Sequence, residues 1–459
     1  MKIVDKIKTA IMRILNMQDL KHLGCDISPY MADAIRIWED LFYLVDQLPH
    51  TLKLAQTITS YMATLATSEL TIDGGASSRG KYITNQAQAN IMPNIAHAVQ
   101  LAGTGGMAAI KPYVRGNQIY MDIIPRQRIY ATRFGANGRI DAGFFTDFEE
   151  INGKTIVKLE QFDLQDDGLY IENHAYRMRD NDFLGTEIPL DSVERWAGLE
   201  EETIIANVDR PHFGIIKMPM INNIDGSDYP ISIFANAVDS IVQIDKSYEQ
   251  FIWERDTGKR RMIIDRSAAV VSPINGKPAI PFKKLASDYY MTIDMPENKP
   301  WDDYTPELRI EKYRQAIDLQ LRMMEIQTGF SPGTFQIDVT GGKVTATQVI
   351  SEDRTTYNTI KSIQDRGMIP GLIDCLYWFD VYATLYNLAP SGRADISVSC
   401  GDSIFEDTAV EFQRRKAMAD ARYIRPEILT AWYFGVSEEE AKEMLPADTP
   451  DSILFGGGA

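Results

Sequence analysis

An α+β fold is the expectation for this 459-residue chain. Three observations predict it. The first 110 residues carry apolar residues at helical spacing; from Ala109 to about Asn207 the period falls to two; and two long helical patterns then flank a short strand-like module. No helical crossover separates the period-two segments, so they form an antiparallel meander rather than a βαβ series.

The elements follow in order. "MKIVDKIKTAIMRILN" is amphipathic, with Ile3, Ile7, Ile11 and Ile14 on one stripe. Lys2, Lys6 and Arg13 interrupt it too often for a signal peptide, and a helix packed on its own protein is preferred to one on a membrane surface. "SPYMADAIRIWEDLFYLV" starts at Ser-Pro and spaces Ile35, Trp38, Phe42 and Val45 as a helix; Leu54, Ile58, Met62 and Leu65 continue with a second. The meander is cut by Gly, Asn and Asp turns. Residues 231–256 read as a long helix, with Phe234, Val238, Ile241, Tyr248 and Ile252 on one face. A β insertion follows at about 257–304, with "KRRMIIDRSAAVV", an "NGKP" turn and "DYYMTIDM". Thr305 is expected to cap, and Pro306 to open, a helix running to Gly329; its 23 residues make a rod of roughly 35 Å. Together these parts predict a hairpin that projects the strand module. A third long helix, about 345–386, carries Gly367 and Pro370-Gly371, which predict a kink. "RADISVSC" is a returning strand, two or three short helices close the chain, and "DSILFGGGA" is a frayed end.

Composition bounds the function. Apolar content of 44% and charged content of 24% are those of a globular protein. A net charge of -17 excludes a surface that grips nucleic acid all over and leaves room for local basic patches. Cys25, Cys375 and Cys400 are far apart and odd in number, which fits a reducing compartment such as cytoplasm. With His22, His50, His97, His174 and His212 they form no metal-ligand spacing, so neither a metal nor a cofactor is expected. No run of 18 apolar residues occurs, so no membrane partner is expected.

The stretch "PGTFQIDVTGGKVTATQVISEDRTTYNTI" superficially resembles a phosphate loop. A Walker-type loop needs Gly, four residues, then Gly-Lys and Ser or Thr. Here Gly342-Lys343 is preceded by Ile337 in the glycine slot and followed by Val344, so the pattern fails twice. What remains is a glycine-hinged loop from Asp338 to Val344. Lys343 at its tip is either a solvated lysine or a point charge for phosphate. The doublets Asp166-Asp167 and Asp302-Asp303 fit turns better than general acid and base pairs, because Asp favours turns for local hydrogen-bonding reasons. "GTGGM" at 103–107 does not sit in a βαβ unit and is no dinucleotide fingerprint. No catalytic residue is assigned, and the chain is not expected to be an enzyme. Lys259, Arg260, Arg261 and Arg266 form the densest basic run, readable as a charged strand edge or as a contact for an acidic partner or DNA.

The order of parts resembles the portal proteins of tailed bacteriophages, of the long-tailed type. The resemblance runs over nearly the whole chain. It is carried by "IRIWEDLFY", "LAQTITSYMATLATSE", "GGMAAIKPYV", the helix–β–helix hairpin, "GFSPGTF", "KVTATQVISE", "CGDSIFEDTAVEF" and "GVSEEEA". It implies a portal-type fold: a wing over 1–230, stem helices at 231–256 and 306–328, and a small β clip at 257–305. A tunnel loop at 329–344, a long kinked helix and returning wing strand at 345–402, an α-helical crown at 403–447 and a flexible tail at 448–459 would complete it. It also implies a virion location at one capsid vertex, with host cytoplasm during assembly, and a head-to-tail connector ring, usually of twelve subunits. The implied partners are double-stranded DNA in the channel, the large terminase subunit, head-completion or adaptor proteins, and the major capsid or scaffold protein. Asp338, Thr340, Gly341, Gly342 and Lys343 would then face DNA, and Lys259, Arg260, Arg261 and Arg266 would dock the motor or neck. A twelve-fold ring would carry about 200 negative charges at -17 each, compatible with a channel that repels a duplex and lets it slide. One departure is "ADARYIRPE", which lacks the glycine that often turns into the next crown helix. Two rival readings are another virion adaptor or minor head protein, and a cytosolic hydrolase that uses the Asp doublets.

Overall fold

The computed structural model describes residues 15, 17–25, 27–45, 49–179, 183–258, 261–265, 290–293, 301–304, 307–336, 354–401, 408–434, 436 and 438–445. Helices and antiparallel sheets are mixed as an α+β fold requires. The amphipathic N-terminal stripe, the "NGKP" turn and the C-terminal "DSILFGGGA" lie outside the described residues.

After a short α1 (Met17–His22), α2 (Pro29–Tyr43) begins as the sequence dictates. The Ser28 hydroxyl accepts from the Met31 amide at 3.1 Å, and Pro29 supplies a preset φ. Met31, Ile35, Trp38 and Leu41 form its buried face. On α3 (Leu54–Thr67) the expected Leu54, Ile58 and Met62 are buried, and Leu65 is half-buried. α4 (Ser78–Asn90) and α5 (Ile95–Gly105) follow, the latter buried on almost every side. One strand was not foreseen among these helices: β1 (Leu70–Asp73) pairs antiparallel with the returning β14 (Ser397–Cys400), Leu70 opposite Cys400.

The meander is present. β2 (Met107–Arg115) and β3 (Gln118–Pro125) form a hairpin, and β10 (Gly214–Lys217) joins it in the order β10-β2-β3. A second sheet orders β4 (Ile129–Phe134), β5 (Ile140–Ile151), β6 (Lys154–Gln165), β7 (Gly168–Met178) and β8 (Leu184–Ile188) consecutively, with β9 (Glu202–Ala206) also on β7. Asn152 and Gly153 have φ of 53° and 73°, the left-handed pair that lets a two-residue turn match the strand twist between β5 and β6.

The two long helices are α6 (Val238–Thr257) and α7 (Ile310–Thr328). They run antiparallel: Glu254 near the end of α6 meets Arg309 at the start of α7 (2.7 Å), and Ser240 meets Gln327 (2.7 Å) at the opposite end. Both helices start later than expected. Residues 231–237 are not α-helical, because Ile233 and Ser232 bond the Gly103 carbonyl at the end of α5 and bury Ile231 and Phe234 in the body. Helix α7 opens at Ile310. The Arg309 amide is drawn to the Glu254 carboxylate at 3.0 Å and its ψ of 39° is not helical. Thr305 and Pro306 lie outside the described residues. At 19 residues α7 spans about 28 Å rather than 35 Å.

Between these helices stands a three-stranded sheet of β11 (Arg261–Asp265), β12 (Tyr290–Ile293) and β13 (Trp301–Tyr304), in the order β12-β11-β13. β11 and β12 are parallel, so they cannot be the two arms of a tight hairpin. The long helix is broken where glycine and proline predict: α8 (Arg354–Ser362), a π turn (Ile363–Met368) and α9 (Ile369–Leu385). Gly367 and Gly371 bring its backbone against the Lys217 and Ile215 carbonyls of β10, where any Cβ would collide. Three short helices, α10 (Thr408–Asp420), α11 (Pro426–Phe434) and α12 (Glu438–Met444), end the described chain. Arg422 supplies the turn after α10 with φ of 64°, so the missing glycine is replaced by a strained arginine.

One hydrophobic core joins α2, α3, α5, both large sheets, the inner faces of α6 and α7, and α9. A satellite cluster gathers around Trp196. The core also holds Glu39, 2% exposed, with one carboxylate oxygen unpartnered among the described residues. Burial pushes its carboxyl up to about 8, against the opposing pull of Arg126.

Candidate functional site

The glycine-hinged stretch lies outside the described residues, but the residues that flank it in sequence form a built anchor. Helix α7 stops at Gly329, whose φ of 78° lets the Phe330 amide reach back to the Glu325 carbonyl at 2.8 Å. A side chain at Gly329 would meet the Thr359 hydroxyl at 2.8 Å, and that hydroxyl donates to the Gly329 carbonyl at 2.7 Å. The Glu325 side chain, fully buried, accepts from the Gly333 and Phe335 amides beyond the end of α7 at 2.6 and 2.5 Å. It replaces the water those amides would otherwise need.

The far side of the loop is tied to the same place. The Ser331 amide donates to the Thr356 hydroxyl at 2.9 Å, and the Thr356 amide to the Ser331 hydroxyl at 3.2 Å. Phe330 and Phe335 meet edge to face at 5.4 Å, and Tyr61 of α3 packs on both. Residues 330–336 and 354–359 are therefore tied together as one platform. Glu325 was not singled out from the sequence. Its signal was there: an acidic residue beside the apolar stripe of Ile317, Leu321 and Met324.

The sequence-chosen residues are placed unevenly. Asp338, Thr340, Gly341, Gly342 and Lys343 lie outside the described residues, as do Lys259, Arg260 and Arg266. Arg261 is the first residue of β11, opposite Tyr304 of β13. Asp166 and Asp167 form the turn between β6 and β7, where Asp167 accepts from the Tyr170 hydroxyl at 2.7 Å. Asp302 and Asp303 are not in a turn, as the sequence suggested, but on β13, where ladder pairing with Ile263 and Met262 overrides the local preference of Asp. The "GTGGM" glycines serve packing: Gly103 faces Met62, Gly105 faces Arg126, and Gly106 turns into β2 with φ of 89°. Among the described residues no group of three His, Cys, Asp or Glu could hold a metal ion, and no helix is long and apolar enough to cross a membrane.

No protein-family profile and no curated protein matches the chain. Among solved structures it is similar to a chain in the virion of a native gene transfer agent particle, at 10% identity and TM-score 0.44, covering 88% of this chain and 94% of that one. A chain in the neck of the empty particle, computed with C6 symmetry, gives the same values. A chain in the neck of the native particle, computed with C12 symmetry, gives TM-score 0.37 at 10% identity over 95% and 98%. At these values the likeness identifies neither a family nor an activity.

Proposed function

We propose that the chain is a portal-type structural protein. Copies of it close into a ring, of twelve subunits, at one vertex of a phage-like capsid; DNA passes through the axis and the protein catalyses nothing. The observation that carries this reading is the antiparallel hairpin of α6 and α7. A small sheet follows it at one end, and at the other the turn after α7 is held by Glu325 and by the Ser331–Thr356 bonds. A rod that joins a docking module to a channel-facing loop is the layout this reading requires. In this reading the body before Ile231 is the wing, α6 and α7 the stem, and β11–β13 the clip. Residues 329–344 are assigned to the tunnel loop, 345–402, with α8, α9 and β14, to the long kinked helix and returning wing strand, and 403–447, with α10–α12, to the crown.

The outer face of α7 adds support. Leu319, Met323 and Ile326 are 64%, 51% and 60% exposed at helical spacing, opposite the buried Ile317, Leu321 and Met324. A row of apolar side chains left uncovered by its own chain suits a neighbouring copy. The basic run that includes Arg261 is assigned to motor or neck docking, and Lys343 to the DNA backbone.

Packaging tests the reading. Deleting residues 338–344 should leave the ring intact and lower DNA packaged or retained per particle; loss of assembly would make the loop structural. Replacing Lys259, Arg260 and Arg261 by Glu should weaken motor binding to a folded ring. Activity lost on Asp166→Asn or Asp302→Asn would instead favour the hydrolase.

A further inference from the structure

The C-terminal helices are polarised in charge. Residues 408–425, on α10 and the turn after it, carry five cations, Arg414, Arg415, Lys416, Arg422 and Arg425, against Glu411 and Asp420. Residues 426–444, on α11 and α12, carry five carboxylates, Glu427, Glu438, Glu439, Glu440 and Glu443, against Lys442 alone. Helix α11 packs on both α10 and α12, which share no comparable contact with each other among the described residues. The unit is therefore layered, with a basic helix, an apolar helix and an acidic helix.

The opposed charges lie on the two outer faces. On α10, Phe412 meets Tyr433 of α11 at 5.0 Å, Arg415 lies over the Trp432 ring at 4.5 Å, and Ala419 is buried. Arg414 is exposed and sits about 140° round the helix from Ala419, and Arg422 and Arg425 are exposed in the turn that follows. On α12 the buried residue is Ala441. Glu439 and Glu443 stand two positions to either side of it, about 160° round the helix, and both are exposed. Apolar side chains accompany each charge: Tyr423, 81% exposed, on the basic side and Met444, 52% exposed, on the acidic one.

We propose that the outer face of α12 in one copy docks on the basic face of α10 and its following turn in the next copy. An acidic polymer would suit the basic face and leave the acidic face opposed, whereas a second copy of this chain answers both. Two different faces meet, so the contact is heterologous and can be repeated from copy to copy. It needs neither twelve copies nor a DNA-facing loop, so it holds or fails apart from the portal reading.

Carbodiimide coupling, which joins a carboxylate to an amine without a spacer, tests the contact on the full chain. Arg414→Lys keeps the charge and supplies an amine on the outer face of α10. Equal amounts of this chain in isotope-labelled and unlabelled form are mixed, so that a mixed-label product can only join two copies. Mixed-label links from position 414 to Glu439 or Glu443 are expected, and their yield should fall several-fold from about 0.05 M to about 1 M sodium chloride. Arg422→Glu with Arg425→Glu leaves the reacting groups in place and should also lower the yield several-fold; if that pair does not fold, the salt series decides alone. Links confined to single-label products would overturn the proposal, as would a yield indifferent to salt. A closed ring without these links would sink this contact and leave the portal reading standing. Links in a chain that never closes a ring would do the reverse. A basic face that takes duplex DNA while giving no mixed-label link would also overturn the proposal.

Discussion

Helices α5, of 11 residues, and α7, of 19, both touch the common core, yet they are finished differently. In α5 the apolar surface is covered by its own chain: Ile95, Ala98, Val99, Leu101 and Ala102 are buried, and Gly103 to Gly105 let Met62 and Arg126 close in. In α7 only one stripe is covered, and Leu319, Met323 and Ile326 stand in solvent on the other. Helix α5 is closed over by its own chain, whereas α7 leaves apolar side chains in solvent. Under the proposed reading, the uncovered stripe of α7 is where a neighbouring copy would pack.

Substitutions on the two sides should separate stability from assembly. Trp378→Ala, in the fully buried part of α9, should cost about 3–5 kcal/mol in chemical unfolding. Leu319→Asp with Met323→Asp should leave the unfolding midpoint of the single chain nearly unchanged, because surface changes fall within about 0.5 kcal/mol. The same pair should abolish the ring in native mass measurement. A pair that unfolds the monomer as badly as Trp378→Ala would erase the contrast.

Glu39 sharpens the comparison from inside the body. Its folded-state carboxyl is raised to about 8 from 4.5, so the folded protein keeps a proton that the unfolded chain gives up. Stability from this group is therefore full below pH 4.5 and falls as pH rises from 4.5 to 8. Glu39→Gln should remove that slope and stabilise the protein by a few kcal/mol at pH 8, with little effect at pH 4. Equal gains at both pH values would mean that the carboxyl ionises freely in the fold.

The smallest effect belongs to the C-terminal helices, where only Ala419, Leu429 and Ala441 are buried apolar residues among those described. Arg422→Gly relieves the left-handed strain at φ of 64° and should stabilise this unit by about 1 kcal/mol, read from local hydrogen exchange. Slower exchange confined to α10 and α11 is the expected result; no change would mean that Arg422 contacts offset the strain.

The sequence revealed what depends on local period. The Ser28-Pro29 start of α2, the Asn152-Gly153 turn, the meander and the glycine-proline break near Gly367 are each written in a few neighbouring residues. What it hid depends on distant partners. Strand β1 is four residues whose ladder, among the described residues, is to β14, more than 300 residues away. The starts of α6 and α7 are set by Gly103 and Glu254, far along the chain. The parallel pairing of β11 with β12 carries no short-range signal. Of the candidate site, the loop could be chosen by its glycines. Its anchor at Glu325 could not, because the two amides that justify a buried carboxylate exist only in the folded turn.

The most direct test of the account is the mass and shape of the purified protein, by native mass measurement with negative-stain imaging. The account predicts a closed ring with an axial hole near twelve times 51.8 kDa, and a ring of thirteen would still agree with it. A monomer or dimer at every concentration and salt would contradict it.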